Sequence, residues 1–378
     1  MARKAQVDLL EHSRAKVDLL SMYLTRYLNI LSLAPFFSTI RIYDLFCGEG
    51  QYPNGGKGSP LVILDAVKSC LEVNARSTTP SKFICHFNDA KPEKALKAEE
   101  AVAKAQYEFP EQWVRIKFSQ EEYSSVAPKV IDEIDASRDT RAFVFIDPYG
   151  YKHVSVNDIW LLLEGGKTEV LLFLPITHMY RFGERATPDS LDRLLAELVL
   201  DDQRRFNDEF DFIEKLRSGF ERKFWSETFV EPFTIQKDAG TVYALFFFTR
   251  NELGMEKMLE VKWKIDGEAG RGWTYVKRPM AIQMTLEFEP PPPNAYAEAI
   301  WKYLESGERS NRDIYRYTLE QRHLPKHTVE ILEHLQEEGL IVVEEMDGKP
   351  ARKNSFYLGY KHFKGTHKDA KHVKIRKA

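Results

Sequence analysis

Hydrophobic and polar positions alternate between two patterns along the first two thirds of the chain. Short apolar runs of strand length begin with Thr39–Phe46, and stretches with apolar residues at helical spacing begin with Val7–Leu33. Strands that alternate with helices predict an α/β fold, with a Rossmann-like parallel sheet covered by helices on both faces. Further strands are predicted at Lys82–Phe87, Val114–Phe118, Ala142–Ile146, Val170–Leu174, Phe233–Gln236 and Val242–Thr249. Further helices are predicted at Leu61–Leu71, Pro92–Tyr107, Pro128–Asp135, Val156–Leu163, Pro188–Leu200 and Asp208–Phe220.

The pattern changes after a run of four prolines, Pro290–Pro293. Such a run predicts a stiff, extended linker, placed at residues 290–294, after a first domain at 1–289 with an N-terminal helical segment at 1–35. Beyond it, Ser310 and Asp313 have the spacing of a helix capping box. Three short helices followed by a β-hairpin is the order of a winged helix, predicted at 295–360. Its elements are expected at Ala295–Glu305, Ser310–Glu320, Pro325 or Lys326 to Gly339, Leu340–Glu345 and Ser355–Leu358.

Composition narrows the class of protein. The 378 residues are 43% hydrophobic and 29% charged with a net charge of −3, so the chain as a whole is not a polycation that seeks nucleic acid. The three cysteines form no CxxC pair, which argues against a disulfide framework or a zinc site and favours a reducing cytoplasm. No metal-ligand spacing is present. The N-terminal residues lack the apolar core of a signal peptide, and the apolar runs are too short to cross a bilayer, so no membrane association is expected.

Positive charge is concentrated near the C-terminus. Residues 349–378 carry ten Lys or Arg and one acid, a net +9. Residues 361–378 are interpreted either as a basic tail that attracts phosphates or as a solvated tail without a function. In the predicted wing, Lys349, Arg352 and Lys353 are candidate contacts to DNA or RNA. The third helix is a poorer candidate because Glu330, Glu333, Glu337 and Glu338 follow Lys326 and His327.

The end of the first strand carries the candidate cofactor site. Glycines at 48 and 50 would let a ligand approach the backbone, and ligands of open α/β sheets bind beyond the carboxyl ends of the strands. A dinucleotide fingerprint would need a third glycine where Pro53 stands, so that alternative fails. Ser59 is expected to cap the next helix, and an acid after the second strand, Asp89, can accept both hydroxyls of a ribose. The candidate cofactor residues are Asp44, Phe46, Cys47, Gly48, Gly50, Ser59 and Asp89.

The fourth strand ends in the sequence FIDPYG, the candidate catalytic motif. Asp147 could accept a hydrogen bond from an exocyclic amine, Pro148 would stiffen the loop, and Tyr149 could stack on a planar base. The alternative is a β-turn with Tyr149 packed on the sheet. Tyr52 in the glycine-rich loop and Arg181 after the fifth strand are candidate substrate contacts.

With these motifs the chain resembles the three-Cys-motif partner (TcmP) family. The resemblance rests on DLFCGEG, GGKGSPL, FIDPYG and the late strand YALFFFTR, and it extends to the winged helix that often follows this family's catalytic domain. It implies a class I methyltransferase sheet, S-adenosylmethionine as cofactor, and a three-cysteine radical-SAM-type protein as partner. Two departures stand out: Cys47 replaces the family's usual alanine, and one proline precedes the aromatic residue where amino methyltransferases usually have two.

Three functions follow as hypotheses. The first is a methyltransferase that acts on nucleic acid, for which a base amine is a candidate acceptor. The second is a non-catalytic partner that docks onto a radical enzyme, which the single-proline motif favours. The third is a DNA-binding regulator that acts through its winged helix.

Overall fold

A computed structural model of the protein describes residues 11–34, 38–74, 81–152, 154–183, 187–198, 205–225, 227–266, 270–274, 295–365 and 368–378. The chain divides into two units, Met1–Val276 and Lys277–Ala378. The linker expected at 290–294 lies outside the described residues and stays a prediction.

The first unit is built on one mixed β-sheet. Its strands are β1 (Thr39–Asp44), β2 (Lys82–Asn88), β3 (Val114–Ser119), β4 (Thr140–Ile146), β5 (Thr168–Leu174), β6 (Phe229–Asp238), β7 (Thr241–Thr249) and β8 (Gly272–Thr274). Their order is β3-β2-β1-β4-β5-β7-β6-β8. The first five strands are parallel, and β7 runs antiparallel to both β5 and β6. The Rossmann-like sheet and its antiparallel strand are confirmed, but the described sheet has eight strands instead of seven because β8 adds to β6.

Helices cover both faces of this sheet. They are α1 (Glu11–Ser32), α2 (Ser59–Val73), α3 (Pro92–Lys104), α4 (Tyr123–Asp135), α5 (Val156–Glu164), α6 (Ile176–Gly183), α7 (Asp189–Glu197), α8 (Glu209–Lys223) and α9 (Glu252–Ile265). Successive strand residues point to opposite faces. Along β1, Ile42 joins a buried core with α1, α2, α3 and α9, whereas Tyr43 joins the core formed with α4 to α8.

Two helix starts differ from the predictions. Ser59 does not cap α2; it is the first helical residue after Gly58, and its hydroxyl bonds to the Asp44 side chain instead. Helix α4 begins at Tyr123, so Pro128 lies inside the helix rather than at its start. The buried stripe from Tyr123 to Ile134 packs into the core, and this packing outweighs the one backbone hydrogen bond that proline removes.

Three elements were not predicted. Helix α6 forms directly after β5, where the sequence ITHMYRFG was interpreted as a loop. Helix α9 and the short strand β8 extend the first unit beyond β7.

The second unit contains α10 (Ala295–Glu305), β9 (Arg309–Ser310), α11 (Asn311–Glu320), α12 (Pro325–Glu337), β10 (Ile341–Glu345), α13 (Tyr360–Lys364) and β11 (Val373–Lys377). The capping box of Ser310 and Asp313 at the start of α11 is confirmed. A separate core includes Ile300, Ile314 and Leu332. This arrangement is the predicted winged-helix fold.

The hairpin of the second unit differs from the prediction in one respect. Residues 355–358 form no strand, and the strand that pairs with β10 is β11, from the segment interpreted as a basic tail. β11 lies between β10 and β9, and its alternate residues Val373 and Ile375 are buried. The tail prediction is therefore wrong for these residues, since the lysine-rich composition conceals a period-two apolar pattern.

Candidate functional site

The candidate site lies where the strand order of the first unit reverses. β1 pairs with β2 on one side and with β4 on the other, and the Asp44 position of β1 is opposite Phe145 of β4. The chain turns to β2 from one side of β1 and to β5 from the far side of β4. Such a switch point opens a crevice at the carboxyl ends of the strands.

The glycine-containing loop after β1 is fastened to the end of β2. The Cys47 amide donates to the Asn88 carbonyl at 2.8 Å, and the Gly48 amide donates to Asp89 Oδ2 at 3.2 Å. Asp89 Oδ1 accepts the Lys91 amide at 2.9 Å. Each carboxylate oxygen has two lone pairs, so buried Asp89 keeps capacity for two further donors.

Gly48 and Gly50 differ in what surrounds them. Both have positive φ, +62° and +74°. A methyl group added to Gly48 would meet no described heavy atom within 4 Å, whereas one added to Gly50 would lie 2.9 Å from the Ala98 Cα of α3. Gly48 therefore faces open space, and Gly50 allows α3 to pack closely against the loop.

Asp44 ends β1 with its side chain fully buried. Burial raises the pKa of Asp44 to about 7, and hydrogen bonds from the Ser59 hydroxyl and the Phe46 amide offset only part of that increase. Oδ1 accepts the Phe46 amide at 3.4 Å, while Oδ2 has no hydrogen-bond partner among the described residues. A buried carboxyl oxygen without a donor is costly, and a donor from a ligand would satisfy it.

The remaining residues of the predicted cofactor loop have packing roles in the structure. The Phe46 ring stacks on Tyr123 at 5.5 Å and belongs to the core. The Cys47 thiol is buried, and burial raises its pKa, which keeps it protonated. Tyr52 is half-buried in a small closed turn whose ends, Gln51 and Lys57, pair.

Asp147 follows β4 at the same edge and pairs with an unexpected partner. The Lys16 ammonium of α1 bonds to Asp147 Oδ2, with the two side chains 13% and 20% exposed. The same ammonium lies 4.6 Å from the Phe173 ring centroid. Burial alone lowers the pKa of Lys16, but Asp147 more than offsets this, so the pKa is raised and the amine stays charged.

Tyr149 provides an aromatic surface beside this pair. Its side chain is 71% exposed, whereas Pro148 before it is buried. The prediction that Tyr149 packs on the sheet is therefore wrong. The Lys94 ammonium of α3 lies 3.7 Å from the Tyr149 ring centroid. Burial lowers the pKa of Lys94, and the nearby Asp89 carboxylate opposes this effect.

Sequence reasoning missed Lys16 and Lys94, although each left a signal. Lys16 stands in register with the buried Leu20 and Tyr23 of α1, where a charge is out of place on an apolar stripe. Lys94 lies in the first turn of α3, where the helix dipole disfavours a cation.

Arg181 lies in the last turn of α6. Its guanidinium reaches the Gly240 carbonyl in the β6–β7 turn at 3.5 Å. It thus contacts the antiparallel part of the sheet, and no described contact joins it to Asp44, Asp89 or Asp147.

In the second unit, many cations are neutralised by neighbouring acids. Lys349 pairs with Asp347 at 2.7 Å, and Lys353 pairs with Glu337 at 3.4 Å; Arg352 is exposed. The β11 cations are paired as well, in the contacts Lys374–Glu308, Arg376–Glu344 and Lys377–Glu305.

A second group of cations surrounds aromatic rings. The Arg312 guanidinium of α11 lies 5.7 Å from the Phe363 ring centroid, and the Lys371 ammonium lies 5.2 Å from that of Tyr357. We call this surface the basic face; its members are Arg312, Lys361, Lys364, Lys368 and Lys371, all exposed, with the rings of Tyr357 and Phe363.

Searches within the described residues for other kinds of site found none. No cluster of three or more His, Cys, Asp or Glu has the geometry to hold a metal ion. No helix there has both the length and the apolar character to span a membrane. The three cysteines are buried free thiols.

Comparisons with known proteins identify the second unit. Residues 277–348 match the family model described as the GMT-like wHTH domain. No curated protein matches the chain.

Two solved structures illustrate the fold-level similarity of the first unit. Trm1 from Pyrococcus horikoshii, in complex with S-adenosyl-L-methionine, is 13% identical over 65% of this chain and 58% of its own, with a TM-score of 0.30. Loganic acid methyltransferase with SAH is 11% identical over 68% of this chain and 83% of its own, with a TM-score of 0.29. Because identities and TM-scores are low, neither alignment carries an argument about function.

Proposed function

We propose that the first unit binds S-adenosylmethionine and transfers its methyl group. The observation that carries this proposal is the open bend at Gly48 between two buried acids, Asp44 and Asp89, at the switch point of the sheet. Asp44 Oδ2 needs a donor, and a ligand ammonium would supply one. The remaining lone pairs of Asp89 suit the two hydroxyls of a ribose.

When bound, the cofactor supplies an activated methyl group, and the residues of the chain supply position. The loop is rigid because its amides bond to Asn88 and Asp89. The exposed ring of Tyr149 would hold a planar acceptor group by stacking. Since methyl transfer needs in-line alignment more than proton transfer, this positioning would provide most of the rate enhancement.

We further propose that the acceptor belongs to a nucleic acid, which the second unit binds through its basic face. Exposed cations attract phosphates, and aromatic rings next to them can stack on bases. The wing residues Lys349 and Lys353 are weaker candidates, because acids of the same unit already pair with them. Arg352 remains a candidate contact beside them.

A non-catalytic partner of a radical-SAM-type protein is the second candidate function. The Lys16–Asp147 pair favours it, because the carboxylate expected to receive a substrate amine is occupied by a lysine of the same chain. The single proline of the motif points in the same direction.

Isothermal titration calorimetry of the full chain with S-adenosylmethionine tests the cofactor proposal. We expect binding by the wild type and a loss of about 10- to 100-fold in affinity for Asp89→Ala, since charge-assisted hydrogen bonds to the ribose are lost. The exposed Asp65→Ala variant is the matched control and should bind normally. An absence of heat with the wild type would refute the proposal.

Transfer of labelled methyl to DNA or RNA of the source cell then separates the two candidate functions. Binding of the cofactor together with transfer supports the enzyme. Binding without transfer, either alone or with the candidate partner present, supports the non-catalytic function.

A further inference from the structure

The crevice of the first unit holds two opposite charges on separate elements. Asp44 ends β1 with one buried oxygen that lacks a donor among the described residues. Lys16 reaches the same edge from α1 and ends in an almost buried ammonium. The two groups influence each other's ionisation, which shows that their charges lie within electrostatic range.

The surroundings of Lys16 hold the ammonium in place without saturating it. Asp147 accepts one hydrogen bond, and the Phe173 ring lies beside the charge at 4.6 Å. An ammonium carries three N–H donors, so donors remain for an anionic group. Placing a cation in an almost buried crevice is costly, and the one pair with Asp147 does not explain why α1 brings it to the edge where ligands bind.

We propose that Lys16 binds the carboxylate of the methionine part of S-adenosylmethionine, while Asp44 binds its ammonium. This inference rests on the cofactor proposal above. A zwitterionic amino-acid group requires one acceptor and one donor, and Asp44 and Lys16 supply them from different elements. Lys16 is then a binding residue, and its bond to Asp147 orients it.

Decarboxylated S-adenosylmethionine lacks only the carboxylate, so it isolates this contact. Calorimetry should show that the wild type binds S-adenosylmethionine about 10- to 100-fold more tightly than the decarboxylated form. Lys16→Met should lose this preference and bind the two ligands alike. Lys16→Arg should retain most of it. Arg14→Met removes an exposed cation from the same helix and should behave as the wild type.

Lys16→Met leaves Asp147 unpaired and risks misfolding, so the double variant Lys16→Met with Asp147→Leu removes both charges of the pair. It too should bind both ligands alike. If either folded variant keeps the wild-type preference, the inference is refuted while the cofactor proposal stands. If the wild type binds S-adenosylmethionine without any preference, the inference is also refuted. If the wild type binds neither ligand, the cofactor proposal fails and this inference with it.

Discussion

Gly48 and Gly50 have the same backbone conformation but different neighbours. Both residues adopt the left-handed region, which glycine enters without a steric penalty. Only Gly48 opens onto free space, because Gly50 lies against the backbone of α3. One glycine thus shapes the proposed ligand surface, and the other lets the neighbouring helix approach.

Alanine at the two positions should therefore have different effects. Gly48→Ala should cost about 1–2 kcal/mol of stability for its positive φ and should weaken S-adenosylmethionine binding at least about tenfold, since the methyl group enters the open space. Gly50→Ala should cost a further 1–3 kcal/mol or so, because its Cβ overlaps Ala98. Urea unfolding and calorimetry measure the two quantities. Equal stability losses with unchanged Gly48→Ala binding would contradict this division.

Residue types at the strand ends could be predicted from the sequence, but their partners could not. Asp44, Gly48 and Asp89 follow predicted strands, and the topology of parallel sheets brings such positions together. The Lys16–Asp147 pair joins residues 131 positions apart. Local patterns contain no information about such a contact, so the expected freedom of Asp147 to meet a substrate was an incomplete prediction.

At the scale of elements, α1 is attached to the sheet through buried polar contacts. The Tyr23 hydroxyl donates to Glu169 at the start of β5, and Thr249 at the end of β7 donates to the same carboxyl at 2.9 Å. Burial raises the pKa of Glu169 to about 7, an effect that the Tyr23 and Thr249 hydrogen bonds and the nearby Arg141 charge only partly offset. The folded protein therefore holds this proton to a higher pH than the unfolded chain does.

This proton makes the stability of the first unit depend on pH. The contribution of Glu169 is complete below its ordinary pKa near 4.5 and is lost as pH rises through about 7. The loss is about 3 kcal/mol by pH 8, from a difference of two to three pKa units. Asp44, with a pKa also raised to about 7, adds a loss of the same sign.

Glu169→Gln should reduce the fall in unfolding free energy between pH 5 and pH 8 by about 3 kcal/mol. Denaturant unfolding at the two pH values measures it. Glu164→Gln, at an exposed position just before β5, is the matched control and should leave the pH dependence unchanged. A Glu169→Gln profile as steep as that of the wild type would contradict the argument.

At the scale of the whole molecule, charge is distributed unevenly within the second unit. The exposed residues of α12 include Glu330, Glu337 and Glu338, whereas the basic face is built from α11, α13 and the segment before β11. The helix that an ordinary winged helix would place in a DNA groove is therefore the less suitable surface here.

Substitutions on the basic face should change the salt dependence of nucleic-acid binding. Replacing Arg312, Lys361 and Lys364 with Gln should lower the slope of log affinity against log salt by about 2 to 3, because three phosphate contacts are lost. Fluorescence anisotropy with duplex and single-stranded oligonucleotides measures it. The control replaces Lys349 and Lys353 with Gln and should lower the slope less. If the control has the larger effect, the wing is the binding surface instead.

The winged helix was predictable in its helices but not in its last strand. Helix periodicity, the capping box of Ser310 and the glycine at 339 are local signals, and the structure follows them. β11 carries three cations in five residues, which hid the alternation of Val373 and Ile375. Ion pairs with Glu305, Glu308 and Glu344 make such a strand stable at the centre of a small sheet.

The attachment of α1 also has a consequence for biosynthesis. Tyr23 leaves the ribosome 146 residues before its partner Glu169. At about 5–20 residues per second, the nascent helix waits about 7 to 30 s for that partner. During this interval its apolar stripe, which includes Leu20, Leu24 and Leu28, lacks the β-strands it will cover, so the emerging chain is a natural client for a chaperone that shields exposed helices.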